Sequence, residues 1–192
     1  MLFKKILNKL ILIYRYFIYY YLPNYTKLAR IIGSPQGVEQ KVKIRGNGRV
    51  KIGDKCFFGT IIGGRSYGET EFQAKFDDSN IIIGNNVCTN NNLFICAANK
   101  IIIGSDSVIG ERVTIFDFEG HGLRADERKQ IGEIGTVEIG INVWIGNNVT
   151  ILKNTKIGNN TIIAAGAIVS GIFPANVIIG GVPAKVIKNL PD

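Results

Sequence analysis

Aliphatic residues recur every six positions through the C-terminal part of this chain. Ile139, Ile145, Ile151, Ile157, Ile163 and Val169 keep that spacing without a break. Two residues before the later members sits a smaller side chain: Val143, Val149, Thr155, Thr161, Ala167. Gly146, Gly158 or Ala164 follows the aliphatic residue, and then often an asparagine pair, Asn147-Asn148 or Asn159-Asn160. The same frame runs earlier through Ile103, Ile109 and Ile115, and less cleanly through Ile83, Thr89 and Ile95; Ile52 and Phe58 begin another stretch.

Neither an α-helix nor an ordinary hairpin has a period of six. A short flat strand followed by a tight corner does. The aliphatic residue and its small partner then point inward, and Asn or Gly takes the corner because each tolerates left-handed backbone angles. Three strands and three corners make a coil of 18 residues. Successive coils lie one strand spacing apart, ~4.8 Å, so Ile145 is predicted to stack on Ile163 and Val149 on Ala167. The fold class is all-β, a parallel β-helix of hexapeptide repeats in which each coil touches mainly its neighbours. A β-sandwich would show turn signals every ~8 to 12 residues and alternating strands, and fits much less well.

The predicted organisation is an apolar and basic helical segment over residues 1–35, the β-helix over 36–173, and a short C-terminal tail over 174–192. Two stretches break the frame: "GGRSYGETEFQAKFDDSN" at 63–80, and Asp117 to about Thr136. Both are predicted to project from the prism as loops or edges, where function tends to sit.

The N-terminal "MLFKKILNKLILIYRYFIYYYLP" is not a convincing transmembrane span. Arg15 interrupts it, Lys9 bounds it and Pro23 ends it, short of the ~20 apolar residues a bilayer needs. It lacks the small-residue cleavage site of a signal peptide. On a helical wheel Lys4, Lys5, Asn8, Lys9 and Arg15 share an arc of roughly 140°, with Leu12, Tyr16 and Tyr19 intruding on it. Two readings stay open for residues 1–22: an interfacial helix on anionic lipid, or a helix packed on its own protein or a partner subunit.

Composition narrows the chemistry. The chain has 192 residues and a net charge of +8, which suits something anionic: phosphates, acidic sugars or a membrane surface. No nucleic-acid-binding module is recognisable, so nucleic acid is weakly supported. Cys56, Cys88 and Cys96 form no CxxC, and with one histidine a metal site is improbable. The chain reads as cytosolic and reduced.

That histidine, His121, lies in the second frame break, in "DFEGHGLRA". Gly120 and Gly122 flank it, letting the backbone turn sharply. Asp117 and Glu119 precede it closely. An imidazole takes up a proton near neutrality, and an acceptor at its other nitrogen holds one tautomer. Asp117, Glu119 or a backbone carbonyl could be that acceptor. Without a local task, His121 would be an ordinary loop residue.

The repeats, together with "VWIGNNVTILKNTKIGNNTIIAAGAIVSGIFPANVIIGGVPAKVIK", resemble the left-handed β-helix acyltransferases of the hexapeptide-repeat family, and within it the sugar O-acetyltransferases. The likeness covers roughly residues 36–190; Trp-Ile-Gly at 144–146 and Gly-Val-Pro-Ala-Lys at 181–185 are its specific motifs. The resemblance implies a left-handed coil, a homotrimer with active sites between subunits, and acetyl-CoA as acyl donor without a metal. "D-F-E-G-H-G" is similar to the segment carrying the general base of related O-acetyltransferases, which implies that role for His121.

By the same likeness Asn90 would contact acetyl group and acceptor, though a corner-forming Asn explains it equally. Trp144, one step past the core-side Val143, would lie near the acetyl end of CoA, unless it only packs the trimer. Gly146, Asn147, Ala165 and Gly166 would line the pantetheine arm. Ser170 falls where the family often has a threonine and a lysine follows, so one cationic contact is missing. Lys185 and Lys188 match basic residues near the CoA phosphates, with a plain solvated tail as the alternative. Ala97-Ala98 replaces an acidic residue of the galactoside enzymes, which counts against a small galactoside.

The expected reaction is direct transfer: His121 deprotonates a sugar hydroxyl as it attacks the thioester, and fixed donors stabilise the oxyanion. No nucleophile-elbow serine or exposed catalytic cysteine suggests a covalent intermediate. A γ-type carbonic anhydrase would need three histidine ligands, and an ice-binding or purely structural β-helix a flat uninterrupted face. An N-acetyltransferase of an amino sugar or other small amine is the competitor. The basic charge and the N-terminal segment favour O-acetylation of a surface glycan, acidic capsule or lipopolysaccharide among them, by a cytoplasmic protein peripheral to the membrane's inner face.

Overall fold

The six-residue period closes into a three-sided left-handed prism. The computed structural model describes residues 2–60 and 68–191. Among these residues three parallel sheets form its faces, of seven, eight and six strands; the eighth strand of the second face, Ala184–Asn189, runs antiparallel. On the first face Lys100–Ile103 lies between Asn80–Ile83 and Thr136–Ile139. On the second, Cys88–Thr89, Val108–Ile109, Trp144–Ile145 and Ile162–Ile163 stack in register. On the third, Phe94–Ala97, Thr114–Phe116, Thr150–Ile151 and Ile168–Val169 follow. Ile145 meets Ile163 as the 18-residue coil requires.

Frame residues fill the axis: Ile83, Ile95, Ile103, Ile109, Ile115, Ile145, Ile151 and Ile163 are all at most 2% exposed. The corners use the left-handed backbone expected of them. Among the described residues ten non-glycines have positive φ, and seven of them are asparagines, Asn148 and Asn160 included. The first member of each pair does different work: Asn147 Oδ1 accepts from the Glu111 amide and Asn159 Oδ1 from the Ile141 amide, both at 2.8 Å. Those bonds satisfy corner N–H groups that no strand pairs.

The earlier coils depart from 18 because corners differ. Ile83 stacks on Ile103 and Ile103 on Ile139, offsets of 20 and 36. The first reflects two extra residues at a corner around Ala98, and the second the excursion from residue 117 to 135. Within the stretch 63–80, read above as a loop or edge, Glu69–Ala74 is a strand whose Thr70, Phe72 and Ala74 point inward; its first residues, up to 67, lie outside the described ones. At the other end Val177–Gly181 still pairs with Ile162–Ile163, and Ala184–Asn189 folds back antiparallel on it. Residues past 173 therefore extend the second face.

Helix Leu2–Arg15 continues as a π-helical segment, Tyr16–Tyr21, then through Pro23 into a 3-10 turn, Tyr25–Arg30. Pro23 ends the apolar run without ending the helical path, since it sits at the first turn of Leu22–Asn24, where its missing N–H costs nothing. This segment covers the open first coil. Tyr20 is buried, and Asn24 donates to the carbonyls of Tyr20 and Val42 and accepts from the Ile44 amide, at 2.6–2.8 Å. Arg15 pairs with Glu39. Among the described residues no helix is long and apolar enough to cross a membrane.

Candidate active site

The excursion after Thr114–Phe116 is a hairpin. Its arms join through Glu119 N–H to Glu133 O (2.9 Å), Gly132 N–H to Glu119 O (3.0 Å) and Gly122 N–H to Gln130 O (3.0 Å). Gly132 is required for this approach, since a Cβ there would lie 2.5 Å from the His121 carbonyl oxygen. A short 3-10 turn, Ala125–Glu127, forms the tip.

His121 stands exposed on one arm, with Nδ1 2.7 Å from the Arg128 carbonyl oxygen. A carbonyl only accepts, so Nδ1 carries the ring proton and Nε2 keeps a free lone pair. Of the three acceptors left open by the sequence, the carbonyl is the one against the ring. Both acids are engaged elsewhere. Asp117 is fully buried and accepts the amides of Ala98 (2.6 Å) and Asn99 (2.9 Å). It closes the irregular corner, and its own carbonyl takes the Gly135 amide at the loop's base. Burial pushes its carboxyl pKa up, against the pull of those amides.

Glu119 faces Lys153 Nζ at 3.3 Å, and the same ammonium sits 2.5 Å from Glu133. Asn154 Nδ2 adds a bond to Glu133 at 3.0 Å. The hydrogen bond to Glu133 is the main reason the Lys153 pKa is raised, and the one from Lys153 the main reason the Glu133 pKa is lowered. Lys153 thus ties both arms of the His121 hairpin to the next coil. The sequence reading missed it. The signal was present, because Lys153 lies 18 residues, one coil, after Gly135 at the base of the excursion.

A second group gathers on another corner. Trp144, 57% exposed, flanks a groove of about 400 Å³ that Cys88, Asn90 and Asn147 also line. Asn90 Oδ1 accepts from the Asn91 amide at 2.7 Å, and the Asn147 amide is held in the corner stack. Gly146 is a packing position, since a Cβ would sit 2.6 Å from the Ala165 nitrogen. Ala165 and Gly166 are exposed, and Gly166, at φ +75, has nothing within 4 Å of where a Cβ would be. Lys185 and Lys188 are exposed on the antiparallel end strand, opposite Gly180 and Ile178.

Ser170 falls apart from that set. It shares a depression of about 300 Å³ with Phe118, Glu119 and Lys153, on the His121 side. Within one chain, then, His121 and Trp144 occupy different corners of the prism. The excursion leaves between the third and first faces, whereas the Trp144 groove opens on the second.

The chain is similar to proteins of known family and fold. The family model "Bacterial transferase hexapeptide (six repeats)" matches residues 136–171. The chain is 30% identical over 155 residues to a galactoside O-acetyltransferase of Lactococcus lactis, across 80% of this chain and 70% of that protein. It is 40% identical over 116 residues to the galactoside O-acetyltransferase of Escherichia coli, across 59% of this chain and 56% of that one, so it spans little more than half of this relative. Among solved structures, a galactoside acetyltransferase in complex with coenzyme A superposes with a TM-score of 0.56 at 26% identity, covering 97% of this chain and 80% of that one. On its repeats, its prism and these relatives, the chain belongs to the hexapeptide-repeat acyltransferase family.

Proposed function

We propose that this protein transfers the acetyl group of acetyl-CoA to a hydroxyl of a sugar or surface polysaccharide, with His121 as general base, in a homotrimer whose sites lie between subunits. The observation that carries this reading is the Nδ1 contact of His121 with the Arg128 carbonyl at 2.7 Å. It leaves Nε2, on an exposed hairpin arm, ready to accept a proton. The placement of His121 and Trp144 on different corners supports assembly: a His121 hairpin of one subunit can complete the Trp144 groove of the next, as in closed cyclic oligomers.

The residues present fit the acyl donor. Trp144 offers an exposed indole beside the groove, Gly166 leaves the backbone open to an extended arm, and Lys185 and Lys188 supply point charges suited to phosphates. Acetyl-CoA supplies an activated thioester. His121 Nε2 takes the hydroxyl proton as that oxygen attacks the thioester carbonyl; the carbon–sulfur bond then breaks, and the imidazolium returns the proton to the departing thiolate, which leaves as the thiol. Asn90, at the groove, is positioned for acetyl or acceptor, and Ser170 is on the His121 side, away from the other predicted coenzyme contacts.

The relatives named galactoside O-acetyltransferases support O-transfer. Buried Ala97 and Ala98 present no carboxylate to an acceptor, which favours another sugar over a small galactoside. The same reading sets the protein at the inner face of the membrane, held peripherally through residues 1–22. Measuring released CoA against sugars, oligosaccharides and amines tests it: turnover with a hydroxyl acceptor is expected, and turnover with amines alone would overturn O-transfer.

A further inference from the structure

The net positive charge is not spread along the prism. Residues 1–80 contain 14 Lys and Arg against six Asp and Glu, whereas residues 81–192 contain nine of each. The basic part is one end of the molecule, because its strands are the terminal members of all three faces and the N-terminal helix lies against them. Arg49, Lys51 and Lys55 are exposed there and have no acidic partner among the described residues.

The same end carries unpaired apolar surface. Ile6, Leu10, Ile13 and Phe17, spaced by three and four, are 47–57% exposed, and Tyr14 beside them is 64% exposed. Tyr16, Tyr19 and Tyr20, on the opposite side, pack on the core. The helix therefore covers the prism with its tyrosines and turns an apolar stripe outward. Next to it, Ile18, Tyr19, Leu22 and Pro23 wall a groove of about 480 Å³ whose rim holds Lys41 and Lys43. Those two ammoniums share one carboxylate, Glu69, at 3.8 and 2.6 Å, which leaves a positive charge over an apolar cleft.

We infer that this end of the prism is a docking surface for anionic phospholipid, in which the stripe enters the acyl boundary and the Lys41–Lys43 groove takes a headgroup phosphate. This deepens the peripheral contact proposed above from the helix alone to helix and first coils together. An apolar stripe bordered by cations matches a negatively charged bilayer, where each contribution is weak alone and stable binding needs both. The neutral remainder, with His121 and Trp144, would stand away from the lipid.

The test uses the full chain with vesicles of phosphatidylcholine alone and of phosphatidylcholine with one quarter phosphatidylglycerol. Co-sedimentation is expected only with the anionic vesicles, and to fall as salt rises. Lys41→Gln and Lys43→Gln are each expected to weaken it roughly 5-fold, and Leu10→Gln with Ile13→Gln to abolish it. Acetyl transfer to a short soluble acceptor, measured on the same samples, is expected to stay at wild-type rate in all four substitutions. Equal binding to both vesicle types overturns the proposal, as does binding to neither. If only the stripe variant fails, the helix contact stands and the groove is refuted. If the stripe variant changes the oligomeric mass instead, the stripe is covered by a second copy of the chain and the lipid surface is refuted. Loss of transfer in the wild-type protein would count against the enzymatic reading, not against docking.

Discussion

Substituting Asp117 separates a structural acid from a catalytic one. Its carboxylate accepts two buried amides, Ala98 at 2.6 Å and Asn99 at 2.9 Å, and is itself fully buried. In Asp117→Asn the amide oxygen can serve one donor, while the amide nitrogen faces the other N–H. One buried donor is orphaned, at a cost of about 1–3 kcal/mol. At roughly 2–4 °C per kcal/mol for a chain of this size, the melting temperature is expected to fall by about 2–12 °C. Asp117→Ala orphans both donors and should fall further. The assay is thermal unfolding at fixed protein concentration, paired with kcat measured well below the transition. An unchanged melting temperature with kcat reduced about 100-fold or more would refute the corner role and return Asp117 to the histidine.

Other outcomes follow from the site. His121→Ala should lower kcat by roughly 10²–10⁴ and leave CoA binding by calorimetry intact; near-wild-type turnover would falsify the base assignment. Lys153→Met should loosen the hairpin, seen as faster tryptic cleavage at Arg124, Arg128 or Lys129 together with a lower kcat, and unchanged cleavage would sink the anchoring. Because Lys153 holds the Glu133 pKa down, the anchor should persist as pH falls into the ordinary carboxylate range and release only below it, as read by hydrogen exchange of the hairpin amides. Mixing His121→Ala with Trp144→Ala chains and reassembling them should restore up to about a quarter of wild-type activity at sub-saturating CoA, since each mixed trimer then has one intact site; no recovery would refute sites shared between subunits. Burial raises the Cys96 pKa to about 11 and also raises that of Cys56, so iodoacetamide at neutral pH should modify Cys88 first, and more slowly with CoA present.

The deletion that would most simply test the N-terminal segment is a poor one. Removing residues 1–22 takes away Tyr20, which is 1% exposed against the core, and so opens the first coil. Surface substitutions at Leu10 and Ile13 avoid that cost, because neither side chain supports the prism.

The sequence by itself determined the repeating part of this protein. A period of six with Asn or Gly at each corner admits few backbones, so the axis residues, the positive-φ asparagines and the Ile145–Ile163 stack could all be read from spacing. It also marked the His121 excursion as an irregularity. Tertiary structure alone decided what that irregularity does. Which acceptor meets His121 depends on how the hairpin folds back: the Arg128 carbonyl reaches the ring, while Asp117 turns inward and Glu119 turns to Lys153. Those contacts join residues 7, 18–19 and 34 positions apart, and of these only offsets near one coil belong to the frame. The direction the N-terminal helix presents its stripe was likewise undecided in the sequence, because Leu12, Tyr16 and Tyr19 interrupt its polar arc. Packing chose the tyrosine side for the core, since there Tyr20 fills the end of the prism and Asn24 satisfies the Val42 carbonyl and the Ile44 amide.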